Sequence, residues 1–374
     1  MLQRKIAVQI KNRLFQGKAI IITGPRQTGK TTLVNSLLEE FSGKYIIFNG
    51  DEADVWEAFS NATSTALKAL IGNKRIVFID EAQRISEIGL CIKLLVDNYP
   101  DLQVIATGSS ALDLNSKIKE PLTGRKYEFT LLPFSFSELA EHYGKLKEKR
   151  LIPHRLIWGS YPEVVIKEGQ QREILRLLAD SYLYRDLLLL DQIKKATLLE
   201  KITRALAFQV GREVSFTELG RLVGCDKETA EKYVTLLEKA FIVFRLPALK
   251  RNLRNEIKNN VKIYFYDNGI LNSIIGNYNP IQSRSDAGFL WENYVIAERR
   301  KFILFNLKQM NSYFWRTTLQ SEIDYVEEEG GSFGAYEIKW NNQKKYKFPM
   351  PFLENYPLRE NKIINPDSFA DWIS

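Results

Sequence analysis

The sequence has few of the side chains that bind zinc or form disulfides. Its 374 residues include only two cysteines and two histidines, and none of these is spaced like a metal ligand set. It also lacks long apolar runs: the strongest, 19–22 and 76–79, fall far short of the roughly 20 residues that span a bilayer. We therefore expect neither a zinc site, nor a disulfide scaffold, nor a membrane-spanning helix.

The start of the sequence is also unlike a secretion signal. Basic residues interrupt its apolar positions at Arg4, Lys5, Lys11 and Arg13, so it has no continuous hydrophobic region. We therefore expect a cytoplasmic protein. A chain of 374 residues exceeds one ordinary hydrophobic core, which predicts two or three domains.

Positive charge is concentrated in one part of the chain. Of the formal net charge of +8, an excess of six comes from the segment 194–258, which has fourteen basic and eight acidic residues. This segment is the candidate for contact with DNA. Charge alone is weak support, because a basic surface also serves solubility.

A phosphate-binding motif follows the first predicted buried strand, 18–23. The segment GPRQTGKT (24–31) fits G-x-x-x-x-G-K-[ST], and a helix is predicted to continue through Thr32, Leu33 and Val34. In such a loop the backbone N–H groups and the helix dipole bind phosphate oxygens. Lys30 would neutralise the β- and γ-phosphates of ATP, and Thr31 would offer its hydroxyl to Mg²⁺. The predicted nucleotide-binding residues are Gly24, Pro25, Arg26, Gln27, Thr28, Gly29, Lys30, Thr31 and Thr32.

A second motif supports this interpretation, which a short pattern alone could satisfy by chance. The apolar strand IVFI (76–79) ends in Asp80 and Glu81, as a strand of a parallel sheet does when it ends at a site. We expect Asp80 to bind the magnesium ion and Glu81 to activate the attacking water. The pair therefore predicts ATP hydrolysis.

Further motifs indicate a family. They are GPRQTGKTTL (24–33), IVFIDEAQ (76–83), ATGSSA (106–111), LTGRK (122–126), LPFSFSEL (132–139) and GSYPEV (159–164). With these motifs the chain resembles the prokaryotic AAA+ ATPases that join this ATPase core to a poorly characterised C-terminal domain.

The resemblance implies two further catalytic residues. Ser109 would sense the γ-phosphate, with Thr107 and Ser110 as alternatives, or these small residues would simply form a turn. AAA+ proteins commonly have Asn there, and a serine reaches less far. Arg125 would act as an arginine finger in a neighbouring subunit, or would form a surface salt bridge instead.

The predicted fold is α/β, with a P-loop AAA+ parallel sheet (1–150), a helical lid (151–207), a winged helix (208–258) and a restriction-endonuclease-like α/β domain (259–374). In the lid, Arg185 is expected to pair with Asp186 rather than to contact nucleotide.

Helix signals define the winged helix. A capping box at 215–218 opens a short helix, Gly224 ends it, and Asp226 caps a longer second helix. Glu228 and Glu231 on that second helix oppose phosphates, whereas the later basic run favours them: Lys250, Arg251 and Arg254. This module could therefore bind DNA or protein.

The C-terminal part contains a polar set that resembles the core of restriction endonucleases. Asp324 and Glu337 would hold Mg²⁺, Lys339 would help to deprotonate water, and Glu292 would complete the set from a helix. Strand alternation sends Glu337 and Lys339 to one face. The alternatives are an edge strand with a cross-strand ion pair, or a binding module without cleavage.

These patterns lead to one main hypothesis and two alternatives. The main hypothesis is an oligomeric ATPase that uses Mg²⁺ and ATP and couples hydrolysis to the handling of DNA. The first alternative is an ATP-controlled, Mg²⁺-dependent nuclease. The second is a nucleotide-dependent switch that binds a protein partner.

Overall fold

The structure is a computed structural model that describes residues 2–60, 62–109, 122–180, 196–249, 261–317, 321–341 and 346–373. Some residues of the sequence analysis lie outside these ranges: Ser110, Arg185, Asp186, Lys194, Lys195, Lys250, Arg251, Arg254 and Lys258. The chain forms two compact units. The N-terminal unit comprises Met1–Pro133 with Lys239–Phe241, and the C-terminal unit comprises Phe134–Glu238 with Ile242–Ser374.

A parallel sheet of five strands, counted over the described residues, forms the centre of the N-terminal unit. Its strands are β1 (Ala19–Thr23), β2 (Tyr45–Asn49), β3 (Ile76–Asp80), β4 (Gln103–Gly108) and β5 (Lys126–Thr130), in the order β2-β3-β4-β1-β5. β1 and β4 are buried along their whole length, and β3 is buried up to Asp80. Burial on both faces requires nearly continuous apolar sequence, which these strands have. The predicted α/β fold with a parallel sheet is confirmed.

The unit also contains α-helices, of which the first precedes β1 and the others lie in connections between strands. They are α1 (Ile6–Lys11), α2 (Lys30–Leu38), α3 (Ala53–Phe59), α4 (Ser64–Ile71) and α5 (Ile88–Asn98). Leu67 of α4 and Ile92 of α5 pack in one core with Val77 and Val104 of the sheet. Parallel strands need such crossover connections because each strand must start from the same edge of the sheet.

The C-terminal unit contains helices and two sheets. Its helices are α6 (Phe136–Tyr143), α7 (Lys145–Arg150), α8 (Ile152–Trp158), α9 (Pro162–Ile166), α10 (Gln171–Asp180), α11 (Ala196–Phe208), α12 (Phe216–Val223), α13 (Lys227–Lys239), α14 (Asn268–Ile275), α15 (Ala287–Phe305), α16 (Met350–Asn355) and α17 (Phe369–Trp372). Its strands are β6 (Glu213–Val214), β7 (Val243–Pro247), β8 (Val261–Phe265), β9 (Asn311–Arg316), β10 (Glu322–Glu329), β11 (Ser332–Ile338) and β12 (Leu358–Ile364).

The first sheet of this unit has three strands, and a pair of helices connects two of them in the chain. β6, β8 and β7 form an antiparallel sheet in that order, and α12 and α13 lie between β6 and β7 in the chain. The Ser215 hydroxyl accepts the Glu218 N–H at the start of α12, and Gly224 ends this helix with a left-handed φ of 81°. Asp226 accepts the N–H of Thr229 at the start of α13. The capping residues therefore act where the sequence predicts.

The second sheet is mixed. Its order is β12-β11-β10-β9, with β11 and β12 parallel and the other pairs antiparallel. Gly330 and Gly331, both with positive φ, form the tight turn between β10 and β11. Because β11 lies between β10 and β12, the expectation that Glu337 could lie on an edge strand is wrong. One partner of β11 is β12, the last strand, and local sequence does not reveal this pairing.

The boundary between the units lies at Pro133, earlier than the predicted boundary at residue 150. Buried side chains of α15 explain this difference. Glu298 accepts the N–H of Phe136 at 2.6 Å, and Lys301 donates to the Phe134 carbonyl at 3.0 Å. The segment LPFSFSEL is thus attached to the C-terminal unit from Phe134 onwards.

None of the helices that the structure describes has the length and apolar character needed to span a membrane.

Candidate nucleotide site and C-terminal pocket

The loop 24–29 joins β1 to α2 at the carboxyl end of the parallel sheet. Two glycines allow its path: Gly29 has a left-handed φ of 86° at the start of α2, and Gly24 has a φ of 149°. A Cβ atom on Gly24 would lie 2.1 Å from the Leu131 carbonyl oxygen. The loop therefore lies directly against the chain that follows β5.

Lys30 is the first residue of α2, and its ammonium group lies inside the loop. Its Nζ atom donates to the carbonyl oxygens of Gly24 at 2.9 Å and Pro25 at 2.8 Å. The residue is only 5% exposed. A buried cation inside a loop at a helix N-terminus attracts anions.

Two residues support the backbone of the loop. The Thr28 hydroxyl donates to the Pro25 carbonyl at 2.8 Å. The Arg4 guanidinium donates to the Thr28 carbonyl at 3.1 Å and to the Leu132 carbonyl. Arg4 therefore connects the loop to the segment after β5. The role of Arg4 was not predicted, because its partners lie 24 and 128 residues away in the chain.

Asp80 ends β3 next to the loop and accepts two hydroxyl hydrogen bonds. The Thr31 hydroxyl donates to Oδ2 at 2.8 Å, and the Thr107 hydroxyl donates to Oδ1. The two predicted magnesium ligands, Thr31 and Asp80, are therefore in contact. Thr107, one of the alternatives to Ser109, contacts Asp80 from β4.

Glu81 follows in a left-handed backbone conformation, with φ 47° and ψ 41°. Gly50, directly after β2, donates its N–H to the Asp80 carbonyl at 2.8 Å. A Cβ atom on Gly50 would lie 2.4 Å from the Glu81 carbonyl oxygen. Close packing against Gly50 therefore determines where the backbone of Glu81 lies. No motif in the sequence indicates this glycine.

Gln83 contacts both Glu81 and the predicted sensor. Its Nε2 atom lies 2.5 Å from Glu81 Oε2 and 3.1 Å from the Ser109 hydroxyl oxygen. Gln83 and Ser109 are 6% and 8% exposed. Gln83 belongs to the motif IVFIDEAQ, but no role was predicted for it.

Arg125 lies away from these residues. It directly precedes β5, whose first residue, Lys126, pairs with Ala19 at the start of β1. The loop 24–29 follows the other end of β1, about 15 Å away at the usual rise per residue. The Arg125 Nε atom instead lies 2.6 Å from Asp97 Oδ1 on the surface. Arg125 is therefore not part of the nucleotide site of its own chain.

The residues at the loop suit a magnesium–nucleotide complex. The Thr31 hydroxyl and the Asp80 carboxylate are the oxygen ligands that such a complex takes from a P-loop protein. Lys30 and the N–H groups at the start of α2 supply positive charge for phosphates. Glu81 provides a carboxylate beside them.

A second candidate site, a cavity of about 790 Å³, lies in the C-terminal unit. All four predicted C-terminal residues line it: Glu292 from α15, Asp324 from β10, Glu337 from β11 and Lys339 just after β11. We call this cavity the C-terminal pocket. The side chains that the sequence predicted as one set therefore surround one space.

Lys262, on β8, also lines the C-terminal pocket and was not predicted. Its ammonium lies 2.6 Å from Glu322 and 3.4 Å from Glu292, and its side chain is 3% exposed. The Tyr264 hydroxyl donates to Glu292 at 2.6 Å. Burial raises the pKa of Glu292 from 4.5 to about 7, although the charge of Lys262 opposes this shift. A lysine within the otherwise apolar strand VKIYF was the available signal in the sequence.

The second lysine of the C-terminal pocket contacts the remaining two carboxylates. Lys339 is hydrogen-bonded to Glu337 Oε1 and lies 3.9 Å from Asp324, which also accepts the Ile338 N–H at 2.9 Å. Burial and the nearby Asp324 raise the pKa of Glu337 to about 7. The Glu337 Oε2 atom is buried, and no described residue donates a hydrogen bond to it.

The metal-binding capacity of the C-terminal pocket is limited. Within the part of the chain that the structure describes, no three Asp, Glu, His or Cys side chains form a group that could hold a metal ion. Asp324 and Glu337 could still bind Mg²⁺ as a pair, since this ion often uses one or two carboxylates and keeps several waters. The buried Glu337 Oε2 atom fits such an ion.

Comparison with protein families agrees with the nucleotide-site geometry. Residues 16–140 match the family model of the AAA domain. This part of the chain is an AAA domain. The match supports a nucleotide-binding domain of the P-loop ATPase type in this part of the chain. Residues 149–280 match a domain of unknown function, DUF8612, and residues 287–369 match another, DUF4143.

Similar proteins occur in several bacteria. An uncharacterized protein of Mycobacterium tuberculosis is 28% identical over 344 residues, which cover 90% of this chain and 74% of the relative. A Mycobacterium bovis protein matches equally. A Haemophilus influenzae protein is 25% identical over 278 residues, covering 68% of this chain and 69% of the relative.

Two solved structures are also similar in part. The ORC2 protein of Aeropyrum pernix in its ADP form has a TM-score of 0.34 and 16% identity, over 64% of this chain and 85% of that chain. The Pif1 helicase of Candida albicans has a TM-score of 0.25 and 15% identity, over 48% of each chain.

The AAA domain thus brings together the main residues that the sequence predicts. Lys30, Thr31 and Asp80 lie at the loop, and Glu81 and Ser109 are connected to each other through Gln83. Arg125 is the exception. Three supporting residues were missed: Arg4, Gly50 and Gln83.

Proposed function

We propose that the AAA domain binds Mg²⁺–ATP at residues 24–32 and hydrolyses it, and that hydrolysis is coupled to the handling of DNA. One observation carries the hydrolytic part. Asp80 contacts the Thr31 hydroxyl of the loop, while the next residue, Glu81, places a second carboxylate beside it. A site for binding alone has no need of that second acid.

Each residue has a physical task in this proposal. Lys30 and the backbone N–H groups at the start of α2 bind and orient the phosphates. Thr31 and Asp80 would hold the magnesium ion, which neutralises charge on the β- and γ-phosphates when it is bound. Glu81 would accept a proton from the attacking water, and Ser109 would donate its hydroxyl to a γ-phosphate oxygen.

The position of Arg125 favours a homo-oligomer. This residue lies at the amino end of the parallel strands, whereas the loop 24–29 lies at their carboxyl end. Arg125 would therefore reach a γ-phosphate only in another copy of the chain. A mixing experiment tests this role. Arg125→Ala protein, added to inactive Lys30→Ala protein, should recover activity if the arginine acts between subunits, because some interfaces then have both residues.

Support for DNA binding comes from the region around α12 and α13. Lys201 of α11 and Lys232 of α13 line one cavity of about 540 Å³, together with Thr197 and Thr229. Two ammonium groups and the Thr197 hydroxyl suit the phosphates of a nucleic acid, whereas Asp226, which also lines the cavity and accepts the Thr229 hydroxyl at 2.8 Å, opposes them. Lys201→Ala with Lys232→Ala should weaken DNA binding and reduce its salt dependence, by about one unit of slope per lost phosphate contact.

The deciding experiment is the steady-state rate of ATP hydrolysis with and without single- or double-stranded DNA. Glu81→Gln removes the proposed base and should lower kcat by about 100-fold or more, while ATP binding persists. DNA stimulation that this variant abolishes would support the proposal. A rate of ATP hydrolysis that DNA does not change would instead favour the nucleotide-dependent protein-binding switch.

A Mg²⁺-dependent nuclease is a second candidate, favoured by the C-terminal pocket. Glu292, Asp324, Glu337 and Lys339 all line it, and Glu337 Oε2 is buried and fits a cation. The test is cleavage of DNA with Mg²⁺ and ATP by purified protein. Asp324→Ala should abolish the cleavage, whereas cleavage that survives this substitution would come from a contaminant.

A further inference from the structure

Gln83 occupies a distinctive position between two proposed functional residues. It lies on a short 3-10 turn, Ala82–Arg84, directly after Glu81. At 6% exposure its amide is inside the site and not in solvent. Its Nε2 atom lies 2.5 Å from the Glu81 carboxylate and 3.1 Å from the Ser109 hydroxyl oxygen.

Hydrogen-bond chemistry determines the direction of these two contacts. An ionised carboxylate only accepts hydrogen bonds, so the nitrogen of the Gln83 amide must face Glu81. This nitrogen carries two hydrogens and can donate to both neighbours. Ser109 therefore accepts from Gln83 and keeps its own O–H to donate elsewhere. A phosphate oxygen, which accepts only, is a suitable partner for that O–H.

The same contact restricts Glu81. Its backbone is already held in a left-handed conformation beside Gly50, so rotation of the side chain is its main remaining freedom. The hydrogen bond from Gln83 anchors Oε2 and leaves Oε1 to accept a proton from water. A carboxylate that is held in one orientation is a more effective base than one that rotates.

We infer that Gln83 is a positioning residue that couples the γ-phosphate sensor Ser109 to the base Glu81. The inference rests on the proposed ATPase function and deepens it. A γ-phosphate oxygen that accepts from Ser109 would hold this hydroxyl in place, and Gln83 would then hold Glu81 in its orientation for attack. Gln83 thereby links recognition of the γ-phosphate to hydrolysis without touching nucleotide itself.

The first test is Gln83→Ala, with kcat and KM for ATP measured separately. A positioning role predicts that kcat falls by about 10- to 100-fold while KM changes less than about threefold, since the phosphate-binding residues are intact. Arg84→Ala is the matched control on the same turn, because Arg84 faces Asp51 at 3.4 Å. This control should keep wild-type kinetics.

Two further variants separate positioning from a merely structural role. Gln83→Glu keeps the size of the side chain but replaces the donating amide with a carboxylate that repels Glu81, so kcat should fall at least as far as in Gln83→Ala while KM for ATP changes little. In the double variant Gln83→Ala with Ser109→Ala, the loss of kcat should be smaller than the product of the two single losses, because both break one connection.

Several results would overturn the inference. They are a wild-type kcat in Gln83→Ala, independent losses in the double variant, or a wild-type kcat in Gln83→Glu. If Gln83→Ala fails to fold, the kcat of the size-matched variant Gln83→Glu tests the inference instead. The ATPase proposal itself would be contradicted by a wild-type protein that does not hydrolyse ATP, or by a Glu81→Gln variant that keeps the wild-type rate. Failure of the ATPase proposal is therefore distinguishable from failure of the inference about Gln83.

Discussion

The nucleotide site of the AAA domain and the C-terminal pocket both contain acids and lysines, but they hold them in different ways. In the AAA domain, Asp80 accepts from two threonine hydroxyls and Lys30 donates to backbone carbonyls. In the C-terminal pocket, Lys262 faces Glu292 and Glu322 directly. The first site is thus built from neutral partners and the second from ion pairs.

This difference affects what each site can bind. Hydroxyls and carbonyls can exchange one partner for a ligand without leaving a bare charge behind. A buried ion pair loses far more when one member is removed, because the other charge stays in a medium of low dielectric. The AAA domain is therefore prepared for an anionic ligand, whereas Glu292 and Glu322 of the C-terminal pocket already share the Lys262 cation.

The largest predicted effect tests the ion pairs of the C-terminal pocket. Lys262→Met should lower the free energy of unfolding by about 3–5 kcal/mol, because Glu292 and Glu322 lose their buried cation. Hydrogen–deuterium exchange in peptides from β8 and α15 measures this locally. Lys167→Met, at an exposed ion pair of α9, is the control and should change little. A Lys262→Met protein with wild-type protection would refute this account of the pocket.

The next prediction tests the backbone construction of the nucleotide site. Gly24→Ala should cost about 2–3 kcal/mol and weaken ATP binding, since the new Cβ atom would lie 2.1 Å from the Leu131 carbonyl oxygen. Gly43→Ala is the matched control: Gly43 also has a positive φ, of 73°, but nothing lies within 4 Å of the added atom. Thermal unfolding and calorimetric titration with ATP compare the two variants. Equal effects would show that the close approach at Gly24 is unimportant.

Sequence patterns predicted the parts of these sites that are local in the chain. The loop 24–31 and Asp80 with Glu81 are short motifs with a definite chemistry, and the caps at Ser215 and Asp226 act within three residues. The parallel sheet also follows from local patterns, because its strands β1 and β3 are nearly continuous apolar runs. Fold class and motif positions were therefore predictable.

The missed residues act through contacts that are distant in sequence. Lys262 meets Glu292 thirty residues later, and Arg4 meets Leu132 across 128 residues. Glycine at position 50 matters because β2 pairs with β3, which brings the residue after β2 against Glu81. Such contacts depend on strand order, which single-sequence patterns do not specify. Gln83 was the exception, since it lies only two residues from Glu81.

A third prediction concerns pH and should have a smaller effect. The pKa of Glu292 is about 7 in the folded protein and near 4.5 when unfolded, so the folded state holds an extra proton between these values. The contribution of Glu292 to the free energy of unfolding should therefore fall, by on the order of 2 kcal/mol, as the pH rises from about 4.5 to 7. Glu292→Gln should remove this part of the slope in urea unfolding. Glu163→Gln, an exposed glutamate of α9, should retain it. An unchanged slope in Glu292→Gln would mean that Lys262 keeps Glu292 ionised throughout this range.

The smallest predicted effect separates the two interpretations of Arg125. Asp97→Ala removes the partner of an exposed ion pair, in which the two side chains are 40% and 36% exposed, so the melting temperature should not change measurably. ATP turnover should also stay within about twofold of wild type, because Asp97 has no role at the nucleotide site. If the salt bridge were the only function of Arg125, Arg125→Ala would behave in the same way. A large loss of kcat in Arg125→Ala alone would instead assign the arginine to the site of a neighbouring subunit.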